Sequence, residues 1–335
     1  MILHATAVER LMEAARERGL GPFQTVPLKD ALGRVASGRI VGTEDLPAFD
    51  NSAMDGYAVA SALTRQARPD APARLTVSGR LIINGGTRIE PRHILALAAL
   101  GIARVGVRVR PRVALINTGR ELVDAGQKPG PGQIRNATGP FLAAALSTMG
   151  AEVNAQHCVG DDPGEFKQRI EPLGDEVDVI LATGAVSMGR HDFVPRAIEE
   201  LGAEILFHKT ATRPGKPGLA ASFGNGPLFF GMPGNPVSTA VALRFFVSPV
   251  LRFFLGQAPE SPLRARLSAA IEKPEGLRCF YKGKLKQGSS GLEAEALPGQ
   301  ASFQIQPLLD ADCWIVLPEP GDHADAGQEV DVYPL

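Results

Sequence analysis

The sequence predicts a multidomain protein of α/β plus β class, with three domains in 335 residues. Between residues 111 and 256, short apolar runs alternate with helix-length runs, which is typical of a doubly wound, mostly parallel sheet covered by helices on both faces. Residues 257–335 contain strand-like runs separated by turns, which predict a small all-β domain. Residues 1–110 combine helices with extended chain, which predicts an N-terminal mixed α/β domain.

The N-terminal domain opens with an amphipathic helix. Apolar residues recur at helical spacing across 7–18, and Gly19 ends the pattern. Residues 26–55 are rich in Gly, Pro and Asp, and predict extended chain and turns with one short helix at 28–33. Farther along, strand-like runs flank a brief helix at 91–100.

The central domain alternates strands and helices along the chain. The predicted strands are 113–117, 152–159, 177–182, 205–208 and 228–231, and the predicted helices are 140–149, 165–173, 194–201 and 238–255. Ligands of such sheets bind beyond the carboxyl ends of the strands, so the loops after these strands are where a site is expected. After Gly256, five runs predict the strands of the C-terminal domain: LRARLSAAI, FYKGKLK, LEAEALP, CWIVLPE and EVDVYPL.

Composition excludes several classes of protein. With 44% hydrophobic and 21% charged residues, the chain is not disordered, collagen-like or a coiled coil. The net charge of −1 lacks the basic excess of a nucleic-acid-binding protein. No signal-like or membrane-spanning run is evident, so we expect no membrane partner. Three distant cysteines form no disulfide framework, and we expect a cytoplasmic protein.

Familiar catalytic motifs are absent from the sequence. The six histidines show no HxH or HExxH spacing, which argues against a zinc site. Neither a GxSxG elbow nor a GxxxxGK[ST] phosphate-binding loop occurs, which argues against a serine hydrolase of that type and a P-loop NTPase.

Three polar loops follow predicted strands of the central domain. They read NTGRE (117–121), TGAVSMG (183–189) and GMPGNPVS (231–238). Their glycines let backbone N–H groups approach a ligand closely, and the second and third loops lead into helix N-termini, which favour anions. Glu121 and Asp192 suit a hydrated Mg²⁺ or a hydroxyl-rich ligand. Turn chemistry alone explains any single loop better, but three loops at one sheet edge predict a ligand site.

Two further segments carry candidate binding residues. In TATRPGKPG (210–218), a rigid Gly/Pro turn holds Arg213 and Lys216, which suits a phosphate or another oxyanion; a surface turn with solvated cations is an equally good explanation. In PAFDNSAMDGYAV (47–59), local side-chain caps account for the first polar residues, and a binding role is suggested for Ser52 and Asp55.

Taken in order, the motifs PAFDNSAMDGYAV, INTGRELV, ATGAVSMGRHDF, RPGKPG and GMPGNPVS resemble the molybdopterin molybdenumtransferase family, which includes MoeA and the E domain of gephyrin. The resemblance is strong over 26–60 and 111–256, and weaker but continuous over 79–110 and 263–335. It implies an enzyme of molybdenum cofactor biosynthesis. Its substrates would be adenylated molybdopterin and molybdate, and it would insert the metal into the dithiolene and release AMP with the help of Mg²⁺.

The resemblance also implies how the protein assembles. Members are homodimers whose site lies between the α/β domain of one subunit and the first domain of the other. The molybdopterin adenylyltransferase and a recipient molybdoenzyme are the candidate protein partners. On this resemblance, residues 1–110 form a linker and dimerisation domain, 111–256 the molybdopterin-binding domain, and 257–335 the C-terminal β domain.

The loops and the resemblance together assign the candidate site. The catalytic candidates are Asp55, Glu121, Asp192 and Lys216, of which Glu121 and Asp192 would hold the metal. The candidates for binding the pterin substrate are Ser52, Thr118, Gly119, Asp161, Thr183, Gly184, Ser187, Gly189, Arg213, Pro233, Gly234, Asn235 and Pro236. Either Asp161 or Asp162 matches the acidic residue of the family at that point.

The chain departs from the family pattern in informative places. Members carry a further domain inserted after the SAMDGYA segment, with a TGAP-type and a GAD motif, and this chain has neither motif. Arg120 replaces the acid of a TGDEL motif, and Ala185 replaces the second glycine of GGVS. Arg190 and His191 replace the acidic part of a GEADY element. These changes should alter the affinity for molybdate, Mg²⁺ or phosphate.

Three functions remain open from the sequence. The retained carboxylates and Lys216 favour a shortened molybdenumtransferase. The missing domain and Arg120 favour a non-catalytic molybdopterin- or cofactor-binding protein, such as a chaperone for one molybdoenzyme. A scaffold role, as in gephyrin, is the third and weakest possibility.

Overall fold

The computed structural model describes residues 1–42, 68, 80–186, 193–288 and 291–335. These residues form two compact units. The first unit contains Met1–Leu20, Arg110–Phe254 and Ala258–Leu335, and the second contains the described part of Gly21–Val109 together with Leu255–Gln257.

Helices occur in both units. In chain order, the α-helices of the described chain are α1 (His4–Arg18), α2 (Pro91–Ala99), α3 (Thr138–Met149), α4 (Pro163–Ile170), α5 (Val194–Glu200), α6 (Pro236–Ala242), α7 (Ser248–Phe254) and α8 (Gln306–Asp310). Short 3₁₀ turns occupy Leu28–Asp30 and Glu171–Leu173, and a π-helical segment, Leu243–Val247, joins α6 to α7.

Strands make up the rest of the regular structure. They are β1 (Phe23–Pro27), β2 (Ile40–Gly42), β3 (Arg80–Ile83), β4 (Arg104–Arg108), β5 (Arg112–Thr118), β6 (Leu122–Val123), β7 (Ile134–Arg135), β8 (Glu152–Val159), β9 (Val179–Thr183), β10 (Glu204–His208), β11 (Thr212–Arg213), β12 (Leu219–Ser222), β13 (Leu228–Met232), β14 (Leu263–Leu267), β15 (Ile271–Glu272), β16 (Arg278–Gly288), β17 (Gly291–Ala296), β18 (Cys313–Leu317), β19 (His323–Ala324) and β20 (Glu329–Pro334).

The second unit is built from two antiparallel strand pairs and helix α2. Strand β1 pairs with β4, and β2 pairs with β3. Helix α2 begins where Glu90 and His93 form a capping box, with Pro91 in its first turn, and Leu97 is fully buried in the core of this unit. The predicted helix at 91–100 is confirmed.

The six-stranded sheet of the first unit has the order β10-β12-β13-β9-β5-β8. Strands β13, β9, β5 and β8 are parallel, and β12 runs antiparallel to both of its neighbours. The predicted α/β class and the five predicted strands are confirmed. The sequence did not reveal β12, because its residues LAAS follow a Gly/Pro turn and have little strand propensity.

Both faces of this sheet are covered. Along β5, Val113 and Leu115 enter one buried cluster, and Ala114 and Ile116 enter another. All four side chains are fully buried. The continuous apolar run of β5 is therefore the pattern of a strand buried on both faces.

Helix α1 packs in the first unit, although the sequence placed it in the N-terminal domain. It buries Ala7 and Leu11 in the same cluster as Val113 of β5. Near its other end, Arg18 donates to the backbone oxygen of Asp178, just before β9. The first helix of the chain thus packs in the first unit, the following residues form the second unit, and the chain re-enters the first unit at Arg110.

The helical stretch Pro236–Phe254 is long and apolar enough to cross a bilayer. Most of it is buried inside the protein. Burial of this kind is what a core helix of the α/β domain shows, and the stretch corresponds to the predicted helix at 238–255.

The C-terminal strands close on themselves. Strands β16, β17, β14, β20 and β18 pair in that order, and β18 pairs back with β16. Strand β11, from the turn region of the α/β domain, adds to β16 in parallel. The all-β prediction is confirmed for these strands, and the short helix α8 was not predicted.

Candidate functional site

The loops after β5, β9 and β13 meet at the carboxyl edge of the sheet. Thr118 Oγ1 donates to the backbone oxygen of Thr183 at 3.0 Å. The N–H of Gly184 donates to the backbone oxygen of Met232 at 3.0 Å. A Cβ placed on Gly234 would lie 3.8 Å from Gly184 Cα, which is ordinary contact. The described parts of the three loops therefore form one surface.

Gly184 stands at the centre of this surface because its backbone approaches Thr118. Its φ is +89°, and a Cβ there would lie 2.6 Å from both the backbone oxygen and Oγ1 of Thr118. Ala185 follows with a φ of +50°, in the left-handed region that glycine adopts more readily. The alanine that departs from the family pattern thus retains the glycine conformation.

Asn117 is a further candidate site residue, which the sequence analysis named only as the start of the first loop. It is buried at the end of β5, where its Nδ2 donates to Thr183 Oγ1 at 2.7 Å and to Thr138 Oγ1 at 3.3 Å. Its Oδ1 is buried without a hydrogen-bond partner. A polar residue closing an apolar strand at the predicted ligand edge was the available signal.

Glu121 lies over the backbone of the first loop. A Cβ on Gly119, whose φ is +143°, would lie 2.7 Å from Oε1 and 2.8 Å from Oε2 of that carboxylate. A side chain at position 119 would displace this carboxylate, and the positive φ favours glycine there.

Arg120 pairs with one of the two aspartates that follow β8. Its Nε lies 3.3 Å from Asp161 Oδ2, and the arginine side chain is 76% exposed. Asp162 instead caps helix α4 by accepting the N–H of Glu165 at 2.8 Å. The alternatives left open by the sequence are thereby assigned different tasks, with Asp162 in a helix cap and Asp161 beside the candidate site.

Carboxylates lie near Cys158 at this end of β8. The pKa of the Cys158 thiol is raised by burial and, in addition, by Asp124, Glu121 and Glu165. Arg120 adds a positive charge to this acidic surface, where the family pattern has an acid.

The turn carrying Arg213 and Lys216 precedes β12 and reaches the same edge, since Leu219 of β12 pairs with Gly231 of β13. The backbone oxygen of Lys216 accepts the N–H of Thr210 at 3.0 Å, which fixes the turn. Both cationic side chains are exposed. The turn therefore presents two cations to solvent from a fixed backbone.

The PGNP turn leads from β13 into α6. Pro233 is buried, and its backbone oxygen accepts the hydroxyl of Thr239 at 2.7 Å. Gly234 and Asn235 are exposed, and Pro236 occupies the first helical turn.

The N-terminus of α6 offers fewer N–H groups to an anion than expected for this loop. Pro236 has no N–H, and the N–H of Val237 donates to the backbone oxygen of Ser302 at 3.1 Å. The hydroxyl of Ser302 accepts Asn235 Nδ2 at 3.1 Å. Ser302, from the C-terminal domain, could not be paired with this turn from sequence spacing.

Five predicted site residues lie outside the described residues, namely Ser52, Asp55, Ser187, Gly189 and Asp192. Within the described residues, no three His, Cys, Asp or Glu side chains form a group able to hold a metal. Glu121 is the carboxylate of the first loop and suits a hydrated cation. Asp161, which follows β8, pairs instead with Arg120.

Comparisons with known proteins agree along the whole chain. Three family models match: MoeA N-terminal region (domain I and II) at 4–79, Probable molybdopterin binding domain at 114–252, and MoeA C-terminal region (domain IV) at 264–335.

Relatives of similar sequence carry one enzyme name. The chain is 32% identical over 409 aligned positions to a molybdopterin molybdenumtransferase of Synechococcus elongatus, with all of both chains covered. It is 29% identical to molybdopterin molybdenumtransferase 2 of Mycobacterium tuberculosis, with 99% of this chain and 98% of the relative covered.

Solved structures have the same fold. A molybdopterin biosynthesis MoeA protein from Pyrococcus horikoshii superposes with a TM-score of 0.79 at 25% identity, covering 100% of this chain and 99% of that one. The matching motifs, fold and full-length relatives lead to one conclusion: this chain belongs to the molybdopterin molybdenumtransferase (MoeA) family.

Proposed function

We propose that this protein inserts molybdate into adenylated molybdopterin and releases AMP, as a step in molybdenum cofactor biosynthesis. The observation that carries the proposal is the joining of the three polar loops at the carboxyl edge of the sheet, around Thr118, Gly184 and Gly234. The names of relatives that match over their full length support the same reaction.

In the proposed reaction, the two dithiolene thiols form Mo–S bonds, one Mo–O bond of the molybdate breaks, and the released oxygen leaves as water with the two thiol protons. Water cleaves the phosphoanhydride bond, and AMP departs. Molybdenum does not change oxidation state. No electron donor is therefore needed.

Each part of the edge has a proposed task. The Gly184 and Gly234 loops receive the substrate against exposed backbone. Arg213 and Lys216 attract phosphate and molybdate oxygens. Glu121, together with Asp192, would hold a hydrated Mg²⁺, which would neutralise phosphate charge when bound. Ser52 and Asp55 are assigned to the site by their motif.

A shortened architecture accompanies this function in our proposal. The Synechococcus alignment runs over 409 positions, whereas this chain has 335 residues, so the relative has residues without a counterpart here. This difference in length supports our proposal that the chain lacks the inserted domain of the family. We also propose a cytoplasmic homodimer that meets the adenylyltransferase or a recipient molybdoenzyme.

The pairing of Arg120 with Asp161 favours a second candidate function, a non-catalytic cofactor-binding protein. It places a positive charge where the family has an acid, which changes the binding of Mg²⁺ and phosphate. Such a protein would bind the pterin without cleaving the phosphoanhydride.

AMP release decides between the two. Purified protein is mixed with adenylated molybdopterin, molybdate and Mg²⁺, and AMP is quantified; we expect release that depends on molybdate. The matched control is the variant Arg120→Asp with Ala185→Gly, which restores the family pattern. Pterin binding without AMP release by the wild type, with release by this variant, would establish the non-catalytic function instead.

A further inference from the structure

Lys282 of β16 carries a charged group into the interior of the C-terminal domain. Its side chain is 0% exposed. Nζ donates to the backbone oxygens of Gly299 at 2.8 Å, Gln304 at 3.1 Å and Ala301 at 3.4 Å. Three acceptors match the three N–H donors of an ammonium group, which offsets the cost of burying it. The ammonium group therefore holds segment 299–304 folded around Nζ.

Gln300 bonds the same segment to β16, because its side-chain amide pairs with the backbone of Lys282 as a neighbouring strand would. Its Oε1 accepts the N–H of Lys282 at 2.9 Å, and its Nε2 donates to the backbone oxygen of Lys282 at 2.9 Å. Gln304 adds a local bond, because its Oε1 accepts the N–H of Ala301 at 3.1 Å. Both the side chain and the backbone of Lys282 therefore bond to segment 299–304.

The residue that this segment presents is Ser302. Its backbone oxygen accepts the N–H of Val237, and its hydroxyl accepts Asn235 Nδ2. These bonds fix the start of α6 and the side chain of Asn235, which belongs to the PGNP turn of the candidate site. Lys282 itself contacts neither residue in the described hydrogen bonds and acts through the segment.

We propose that Lys282 is a positioning residue, which holds segment 299–304 so that Ser302 fixes the PGNP turn at the candidate site. The consequence for molybdopterin binding rests on the proposed function. The consequence for the turn itself does not.

The first test needs no ligand. In Lys282→Met, three carbonyl oxygens lose their donor, and the segment loosens. We expect amide hydrogen exchange at Val237 to quicken at least tenfold relative to a control variant, after both rates are corrected for the measured free energy of unfolding of each protein. Leu317→Ala is the control, because Leu317 is fully buried in the same β domain, outside segment 299–304. Equal exchange at Val237 in the two variants would overturn the proposal.

The second test measures binding of molybdopterin by its fluorescence. We expect Lys282→Met to raise Kd about tenfold, and Ser302→Ala to have little further effect in that background, since residues acting through one contact are not additive. Independent, multiplying effects of the two substitutions on Kd would reduce Lys282 to a structural residue.

The two tests separate the two proposals. Failure of wild-type protein to bind molybdopterin, with quickened exchange at Val237 in Lys282→Met, would refute the proposed function and support the action of Lys282 on the turn. Tight binding and exchange at Val237 that are both unchanged in Lys282→Met would overturn the positioning role and leave the function standing.

Discussion

Gly184 and Ala185 are adjacent residues with positive φ, yet they differ in what surrounds them. Gly184 has a φ of +89° and its Cα faces Thr118 so closely that a methyl group cannot fit. Ala185 has a φ of +50° and already carries a methyl group. The family pattern of two glycines is therefore a steric requirement at the first position and only a conformational preference at the second.

Exchanging the two side chains tests this difference. We expect Gly184→Ala to lower the free energy of unfolding by at least about 2 kcal/mol, because left-handed backbone and a clash with Thr118 combine. Ala185→Gly should change it by less than about 1 kcal/mol, since relief of the left-handed conformation is offset by the greater freedom of glycine when unfolded. Urea denaturation of both variants measures this. A destabilisation by Ala185→Gly as large as that of Gly184→Ala would contradict the assignment.

At the scale of secondary-structure elements, helix α4 shows how neighbouring aspartates divide their tasks. Asp162 accepts the N–H of Glu165 and begins the helix, and the carboxylate of Glu165 accepts the N–H of Gly160. Asp161, one residue earlier, faces Arg120 across the end of the sheet. The helix start is set by Asp162, and the charge next to the candidate site by Asp161.

Alanine substitutions at the two aspartates should therefore have opposite consequences. Asp162→Ala removes a helix cap and should cost about 1 kcal/mol of stability, with little effect on molybdopterin binding. Asp161→Ala should leave stability nearly unchanged, because ion pairs with an exposed partner contribute little, and should alter binding by freeing Arg120. Thermal melts and a fluorescence titration on both variants check this, and a reversed pattern would mean that Asp162 is the site residue.

At the scale of the whole molecule, His4 connects helix α1 with the C-terminal domain inside the first unit. Its ring lies against the rings of Phe246 at 5.0 Å and Phe280 at 5.7 Å between centroids. Burial, followed by the nearby Arg278, lowers the pKa of His4 to about 4, and Glu319 opposes the shift. His4 Nε2 is buried without a hydrogen-bond partner, so the neutral ring is the form that fits.

Acid should weaken this junction. Unfolded His4 binds a proton near pH 6.5 and folded His4 only near pH 4, so the unfolded state holds more protons between these values and stability falls as pH decreases. Between pH 7 and pH 5 we expect His4 to cost the wild type about 2 kcal/mol. Urea denaturation at both pH values, with His4→Leu as the comparison, isolates this contribution. Parallel losses in the two proteins would show that His4 is not responsible.

Local patterns predicted much of the fold because each pattern extends over several consecutive residues. The apolar run of β5, the helical spacing of α1 and the start of α2 at Pro91 were each predicted from neighbouring residues alone. Strand β12 was missed because LAAS has no such pattern, and it forms between β10 and β13 only because both neighbours supply partners.

The family, the α/β class and the three polar loops at one edge of the sheet followed from the sequence alone, since motif order and strand ends are local properties. Tertiary structure decided the rest of the candidate site. Only the sheet order brings Asn117 to Thr183, and only the packing of the C-terminal strands brings Ser302 to Asn235, 67 residues away. Such contacts depend on the register and order of paired strands, which no local spacing of residues encodes.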